Sequence, residues 1–517
     1  MMAAQRLSQA PLLSELLQGL ARVSPAQDVA VQGLALSSRQ VQPGYVFFAV
    51  AGSHVHGIDF VADAVAAGAV AIVWEPTDAV TEDAAGLRAA AVPVVAVERL
   101  GRHVGVIAAR FYGQPSRDMF VIGVTGTDGK TSCTHFIAQA LHTPQSPCGL
   151  IGTLGYGCYG ALRTGVHTTP DALTLQQELA ALRDNGAQAL AMEVSSHGLD
   201  QGRAAGIGFD VAVLTNLSRD HLDYHGNEQA YAEAKRRLFT LPDLGAAVLN
   251  LDDAFGQALF AELPATLPVI AYTQEPAALH QYTRANTRWL CAQDVTTSTA
   301  GMHMTVQGSW GEGALQTRLL GRFNISNLLA ALAVLLLRGI ALDEALKRLA
   351  EVQTVPGRME TFGGGDQQPL VVVDYAHTPR ALEVVLGALR AHCDGHLWCV
   401  FGAGGERDIG KRPLMGAIAE RLADHAILTD DNPRHEDATQ IVMDILSGME
   451  DPDAAYVQRN RGQAIAQALS SSDAGDIVLI AGKGHEDYQQ VGDQRLHFSD
   501  REQVCALLGC TLGGDAP

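Results

Sequence analysis

The chain has 517 residues, 47% hydrophobic and 18% charged, a balance that excludes a disordered protein and fits folded soluble domains. That length exceeds what one hydrophobic core sustains, so about three domains are expected. A formal net charge of −20 argues against nucleic acid or an anionic membrane surface as the main partner, but leaves anionic small molecules to local basic residues.

Leu12, Leu13, Leu16, Leu17 and Leu20 in "LSQAPLLSELLQGLARV" share one helical face, predicting an N-terminal helix. No charged leader precedes a sustained apolar run there, so the segment does not read as a signal peptide. "YVFFAV" and "AVAIVW" read as buried strands around a helical "FVADAVAAGA", a small α/β domain that ends near "RFYGQPSRDM". "MFVIGVTG" then runs into a glycine loop and the helix "TSCTHFIAQALH". "QALAMEVSSH" and "FDVAVLTNL" repeat the passage from strand to loop, and the alternation predicts a mostly parallel sheet. "LLAALAVLLL" stops at Arg338, well short of the roughly 20 apolar residues a membrane span needs. The Pro- and Gly-rich "VPGRMETFGGGDQQP" marks a second boundary. Beyond it, "LVVVDYAHTP", "LWCVFGAGG", "HAILTDDNP" and "IVLIAGKGHED" predict a third α/β unit of dinucleotide-fold character. The eight cysteines are scattered without C-x-x-C spacing and read as reduced cytosolic thiols.

Open parallel sheets bind ligands beyond the carboxyl ends of their strands, so the loops at those ends carry the chemistry. In "GVTGTDGKTS", Gly126 and Gly129 permit tight turns, Lys130 can reach the β and γ phosphates of a nucleotide, and Thr131 can ligate Mg²⁺. Val124 stands where the strict phosphate-loop pattern has its first glycine. Glu193 of "EVSSHGLDQGR" and His221 of "NLSRDHLDYHG" fall just past predicted strand ends, where a carboxylate and an imidazole can share a metal; the plainer reading is a pair of hydrogen-bonded loop residues. In "AYAEAKRRLF", helical spacing puts Tyr231, Lys235 and Leu238 on one stripe, with Arg236 and Arg237 directed elsewhere. Lys235 is then either a lysine snorkelling to water or an amine of lowered pKa that reacts with CO₂ to give an anionic carbamate.

Together these motifs, with "HTTPD", "GRFNISN", "PGRME", "DYAHTP", "FGAGGERDIGKRPLM", "DNPR" and "AGKGHEDYQ" in order along nearly the whole chain, resemble the Mur ligases of peptidoglycan synthesis. The resemblance implies three domains: a small N-terminal α/β UDP-binding domain over 1–112, a central P-loop ATPase-type parallel-sheet domain over 113–353 and a C-terminal Rossmann-like, amino-acid-binding domain over 354–517. By position it implies that Ser38, Ser53, His54 and Val55 contact UDP, with Ser37 where the family usually has Asp, and that Thr168, Thr169, Ser195, Gln201 and Arg203 contact the muramoyl-dipeptide. ATP falls to Gly126, Thr127, Asp128, Gly129, Lys130, Thr131, Ser132, Asn327, Arg358, Asp374 and His377, with Asp128 replacing the commoner Asn. Mg²⁺ falls to Thr131, Glu193, His221 and a carbamylated Lys235, and catalysis to Lys130, Lys235 and His221. Arg407, Asp431, Asn432, Pro433, Arg434, Gly482 and Glu486 resemble the site of the incoming amino acid.

The activity so implied adds meso-diaminopimelate to the D-glutamate side chain of UDP-N-acetylmuramoyl-L-alanyl-D-glutamate, through an acyl phosphate, in a cytoplasmic monomer. L-lysine as the amine is the alternative within this class. A ligase of the folylpolyglutamate synthetase type would lack "DNPR" and the N-terminal domain, and a nucleotide-dependent switch would leave Lys235 and the amino-acid segment unexplained.

Arg434 poses the sharpest question, because "TDDNPRHED" surrounds one arginine with carboxylates. It either neutralises a solvated turn or grips the extra carboxylate that distinguishes diaminopimelate from lysine, through two parallel hydrogen bonds.

Overall fold

The computed structural model describes residues 10–512 apart from 53–54, 79, 82–84, 166, 278–281, 283–284 and 366–367. The chain forms two compact units: 1–273 with 277–289 and 330–340, and 274–276 with 290–329 and 341–517. Among the described residues no helix is long and apolar enough to cross a membrane.

The first unit begins with a four-stranded parallel sheet, in the order β1 (Gly33–Ala35), β2 (Tyr45–Ala49), β3 (Ala71–Trp74), β4 (Val94–Ala96). The expected N-terminal helix is much shorter than its leucine spacing suggests, covering only Leu13–Leu16. Leu12 is extended and 40% exposed, and Gly19 leaves the helical region at φ 76°, so Leu13, Leu16 and Leu17 are buried in the core while Leu20, beyond the helix, packs against it partly buried.

The larger sheet of this unit contains β5 (Phe120–Thr125), β6 (Cys148–Gly152), β7 (Gly155–Cys158), β8 (Ala161–Arg163), β9 (Ala189–Glu193), β10 (Val211–Leu214), β11 (Ala246–Asn250) and β12 (Val269–Thr273). Their order is β12-β11-β10-β5-β9-β6-β7-β8, parallel as far as β6 and antiparallel beyond it. β5, β9 and β10 are buried on both faces, which is why they read as continuous apolar runs. Their carboxyl ends deliver Gly126, Glu193 and Thr215 side by side.

β13 (Thr287–Ser298), which belongs to the second unit from Leu290 on, β14 (Gly301–Gly308) and β15 (Gly311–Thr317) make an antiparallel meander that the sequence reading did not anticipate. The carboxy-terminal sheet runs β16 (Glu360–Gly363), β17 (Leu370–Asp374), β21 (Ile477–Ala481), β18 (Leu397–Phe401), β19 (His425–Leu428), β20 (Tyr456–Val457). All pairs but β16–β17 are parallel, the dinucleotide-fold character expected. A hairpin, β22 (Tyr488–Val491) with β23 (Gln494–His497), follows β21. Arg461 and Asp500 lie fully buried at the end of β21, where Arg461 donates to the Ala481 carbonyl, and pair through two bonds of 2.7 Å each.

Candidate functional site

The strand β5 gives way to the helix Lys130–Leu141 through a loop that depends on glycine. Gly126 has φ 153° and Gly129 φ 77°, and a Cβ on Gly126 would collide with Thr215 Oγ1. Lys130 Nζ folds back on this loop and donates to the carbonyls of Gly126 and Thr127, each at 2.9 Å. Asn216 accepts the Asp128 N–H at 3.0 Å and Thr215 Oγ1 donates to the Asp128 carbonyl at 2.6 Å, so the end of β10 braces the loop from the side. Asp128 itself is exposed, and Ser132 is half-buried on the first helical turn.

Thr131 and Glu193 meet as expected. The Thr131 hydroxyl donates to Glu193 Oε2 at 3.0 Å, while Thr153 donates its N–H to Oε1 at 2.8 Å and its hydroxyl to Oε2 at 3.2 Å. The same carboxylate end of β9 anchors the candidate dipeptide contacts. Thr169 Oγ1 donates to the Glu193 carbonyl at 2.9 Å and accepts the Ser195 N–H at 3.0 Å. Thr168 shares a hydroxyl bond with Thr153, Arg203 donates to the Thr169 carbonyl at 2.7 Å, and Arg203 also donates to Gln201. The candidate phosphate loop and the candidate dipeptide contacts are thus one hydrogen-bonded network.

Lys235 lies where its stripe placed it, 1% exposed beside Tyr231 and Leu238. Its Nζ donates to the Gly126 carbonyl at 2.6 Å and sits 4.5 Å from the Tyr231 ring centre. Burial, then the positive charge of Lys130, holds its pKa well below the lysine range, which makes a neutral and nucleophilic amine accessible. Tyr231, pushed up to about 12 by burial, remains a phenol whose hydroxyl meets that of Thr127 at 3.1 Å. His221 adopts a left-handed backbone, φ 51°, and its half-exposed ring stands edge-on to His197 at 4.8 Å and 6.1 Å from the Tyr231 ring.

Among the described residues no group of three or more His, Cys, Asp or Glu side chains is arranged to hold a metal. The expected Mg²⁺ set does not require one, because it takes only Glu193 and His221 from those residue types. A buried carboxylate bonded to a threonine hydroxyl at a phosphate-loop helix start is an oxygen donor pair suited to Mg²⁺. Of the candidate UDP contacts, Ser38 opens a short 3₁₀ turn and Val55 is 51% exposed, while Ser53 and His54 lie outside the described residues.

In the second unit, Asp374 at the end of β17 accepts the N–H groups of Met359 and Ala376, both at 2.8 Å. Burial pushes its pKa up against the opposing charge of Arg358, whose guanidinium lies 4.7 Å from the Tyr375 ring. His377 is exposed and Asn327 is buried beside Asn324, to which it donates at 2.9 Å. Arg407 is exposed on the glycine loop after β18.

Asp430, Glu436 and Asp437 around Arg434 have other partners. Asp430 pairs with Arg459, Asp437 caps the helix Ala438–Leu446, and His435 contacts Glu406 and Asp493. Glu436 is held by the fully buried Arg412 at 2.6 and 2.8 Å, which lowers its pKa to about 2. Arg434 is half-buried with a left-handed backbone, φ 53°, and donates to the Gly405 carbonyl at 2.6 Å. Among the described residues no carboxylate of this chain forms an ion pair with it, which disfavours neutralisation of its neighbours as its role. Pro433 is buried just before it, Asn432 donates to Glu486 at 3.0 Å, and the Asp431 carboxylate faces Gly482 so closely that a Cβ there would stand 2.7 Å from Oδ2.

Thr153, Thr215 and Asn216 bond candidate site residues in the first unit and Lys483 does so in the second, where Arg412 holds Glu436 beside Arg434; sequence reasoning missed all five. Thr215 and Asn216 had a signal, since polar residues directly follow the apolar run of β10; the others are joined to the site only by the fold.

Three family models match the chain: "Mur ligase family, catalytic domain" over residues 30–112, "Mur ligase middle domain" over 124–335, and "Mur ligase, glutamate ligase domain" over 357–484. Two relatives carry the name UDP-N-acetylmuramoyl-L-alanyl-D-glutamate--2,6-diaminopimelate ligase. That of Alkalilimnicola ehrlichii is 49% identical, covering 96% of this chain and 98% of its own, and that of Pseudomonas aeruginosa is 50% identical, covering 92% and 95%. A solved structure bearing the same name superposes with a TM-score of 0.74 at 35% identity, over 97% of this chain and 99% of that one. The Mycobacterium tuberculosis folylpolyglutamate synthase complexed with ADP and AMPPCP shares the fold, with a TM-score of 0.54 at 19% identity over 74% of this chain and 92% of its own.

Proposed function

The chain belongs to the Mur ligase family, and from that premise we propose that it is an ATP-dependent, ADP-forming ligase of peptidoglycan precursor synthesis. It joins an amino group of meso-diaminopimelate to the D-glutamate side-chain carboxylate of UDP-N-acetylmuramoyl-L-alanyl-D-glutamate, working as a cytoplasmic monomer. Residues 1–112 hold the UDP sugar, 113–353 the nucleotide and 354–517 the amino acid. The observation that carries this reading is the continuous network from Thr131 through Glu193 to Thr169, Ser195 and Arg203, which ties a nucleotide-phosphate loop to a polar surface suited to a second substrate.

A carboxylate is a poor acyl donor, so its oxygen first attacks the γ-phosphorus of ATP and the bond to the bridging oxygen breaks, releasing ADP. Lys130 exchanges the Gly126 and Thr127 carbonyls for phosphate oxygens and neutralises the charge that develops there. The amine nitrogen then attacks the acyl carbon, the bond to the phosphate oxygen breaks, and inorganic phosphate leaves with the amide formed. Thr131, Glu193, His221 and a Lys235 carbamate would hold Mg²⁺, which when bound supplies charge neutralisation at the phosphates. The Lys235 carbamate forms when the neutral amine adds to CO₂ and loses a proton, and its remaining N–H keeps a donor for the Gly126 carbonyl.

Phosphate release tests the proposal directly. It is expected only when ATP, UDP-muramoyl-dipeptide and diaminopimelate are all present, and labelled diaminopimelate is expected to outcompete lysine as acceptor. Release that needs neither second substrate would return the chain to a nucleotide-driven binding protein.

A further inference from the structure

We infer that Lys483 is a positioning residue for the amine substrate, deciding which atoms of Asn432 and Glu486 face the ligand. Lys483 lies in the turn after β21, between Gly482 at φ 116° and Gly484 at φ 52°, and its side chain is fully buried. Its ammonium donates to Asn432 Oδ1 at 3.2 Å and to Glu486 Oε2 at 3.1 Å, and lies 5.4 Å from the Tyr488 ring centre. Asn432 Oδ1 also accepts the Gln490 N–H at 2.9 Å.

An amide oxygen has two lone pairs, and both are used here, so the Asn432 amide has one orientation only. Its Nδ2 therefore points to Glu486 Oε2, to which it donates at 3.0 Å. Oε2 is saturated by Lys483 and Asn432 together. What remains for a ligand is the second Nδ2 proton, which suits a carboxylate, and Glu486 Oε1, which suits an ammonium. An α-amino acid presents those two groups side by side. Without the Lys483 cation the Asn432 oxygen keeps only the Gln490 N–H and Glu486 Oε2 keeps only Asn432 Nδ2, so the Glu486 carboxylate is no longer held in the position that leaves Oε1 for the ligand's ammonium. Lys483 itself touches no substrate in this arrangement; it acts through the two residues that do.

The inference rests on the reading that Asn432 and Glu486 receive the amino acid, so the experiment separates the two. Lys483→Met, Glu486→Ala, Asn432→Ala and the two double variants carrying Lys483→Met are compared by steady-state kinetics with diaminopimelate, ATP and UDP-muramoyl-dipeptide varied in turn. Glu486→Ala and Asn432→Ala are expected to raise the KM for diaminopimelate, and Lys483→Met to raise it about tenfold or more with the other two KM values unchanged. Each double variant is expected to be no worse than its Glu486→Ala or Asn432→Ala parent. If the parents lose diaminopimelate affinity while Lys483→Met keeps it, or if the losses multiply, Lys483 does not act through them and the inference falls. If the parents keep wild-type affinity, the substrate site lies elsewhere and both readings fall. Should Lys483→Met not fold, Lys483→Gln carries the same comparison, because a neutral amide keeps a polar side chain but cannot supply charge-assisted bonds to both Asn432 Oδ1 and Glu486 Oε2. A wild-type diaminopimelate KM in a folded Gln variant would overturn the inference.

Discussion

Arg434→Ala is the substitution that separates the two roles available to this residue. The guanidinium is tethered at 2.6 Å to the Gly405 carbonyl and is half-buried, and its sequence neighbours Asp430 and Glu436 are held by Arg459 and Arg412. Removing one partner of a hydrogen-bonded charge pair costs roughly 2–5 kcal/mol, and partial exposure places this site toward the lower end, about 2–3 kcal/mol. At 1.4 kcal/mol per decade, kcat/KM for diaminopimelate should fall about 30- to 150-fold. Because Arg434 belongs to the candidate amino-acid site and not to the candidate ATP contacts, the KM for ATP should stay at the wild-type value. Arg434→Lys keeps the charge, loses the bidentate grip and should fall between the two. The assay is ADP release with diaminopimelate varied at saturating ATP and UDP-muramoyl-dipeptide, repeated with lysine as acceptor. Good lysine use need not appear, because deleting a misfit does not build a contact. A diaminopimelate kcat/KM within about threefold of wild type would return Arg434 to a solvated turn.

Lys130→Ala should lower phosphate release by about 10²-fold or more at saturating ATP with the thermal transition unchanged; retention of a tenth of the activity or more would remove Lys130 from the transferring phosphate. Lys235→Ala should be nearly inactive and recover part of its activity in added formate, whereas full activity without it would dismiss the carbamate. Folding lowers the Lys235 pKa, so from that folded value up to about 10.4 the unfolded chain binds more protons and stability rises with pH. In CO₂-depleted buffer Lys235→Met should therefore melt above wild type at neutral pH, by a margin that shrinks as pH approaches 10; a margin that grows with pH contradicts a buried titrating amine. Arg461→Met strands the buried Asp500 carboxylate and should cost roughly 3–5 kcal/mol in urea unfolding, much of it recovered by adding Asp500→Leu. A single variant as stable as wild type would argue that water reaches that pair.

What the sequence disclosed follows the range of the interactions involved. β5, the loop from Gly126 and the helix from Lys130 are local, written in an apolar run, two glycines and a helix start. Lys235 was legible because 3.6-residue periodicity placed it with Tyr231 and Leu238. The N-terminal leucines obeyed the same periodicity and misled, since Gly19 and the extended Leu12 stop the helix at Leu16 and periodicity carries no end signal. In the meander β13–β15 the successive buried residues Leu290, Cys291 and Ala292 interrupt the period-two alternation by which a half-buried strand is read. The bond from Thr153 to Glu193 spans 40 residues and that from Lys483 to Asn432 spans 51, and no spacing rule reaches so far. Arg434 lies between these cases: its residue type posed the question, but only the partners of Asp430 and Glu436 showed that it is not spent on its neighbours.

The Gly126 carbonyl receives both Lys130 and Lys235, at 2.9 and 2.6 Å. That acceptor is a main-chain atom, so no codon change deletes it, and the steric closeness of Thr215 leaves little choice of residue at position 126. Drift or drug selection at this point can therefore act only on the donors. Under the role proposed for Lys130, a change that strips this oxygen of its donors also removes the cation expected at the transferring phosphate.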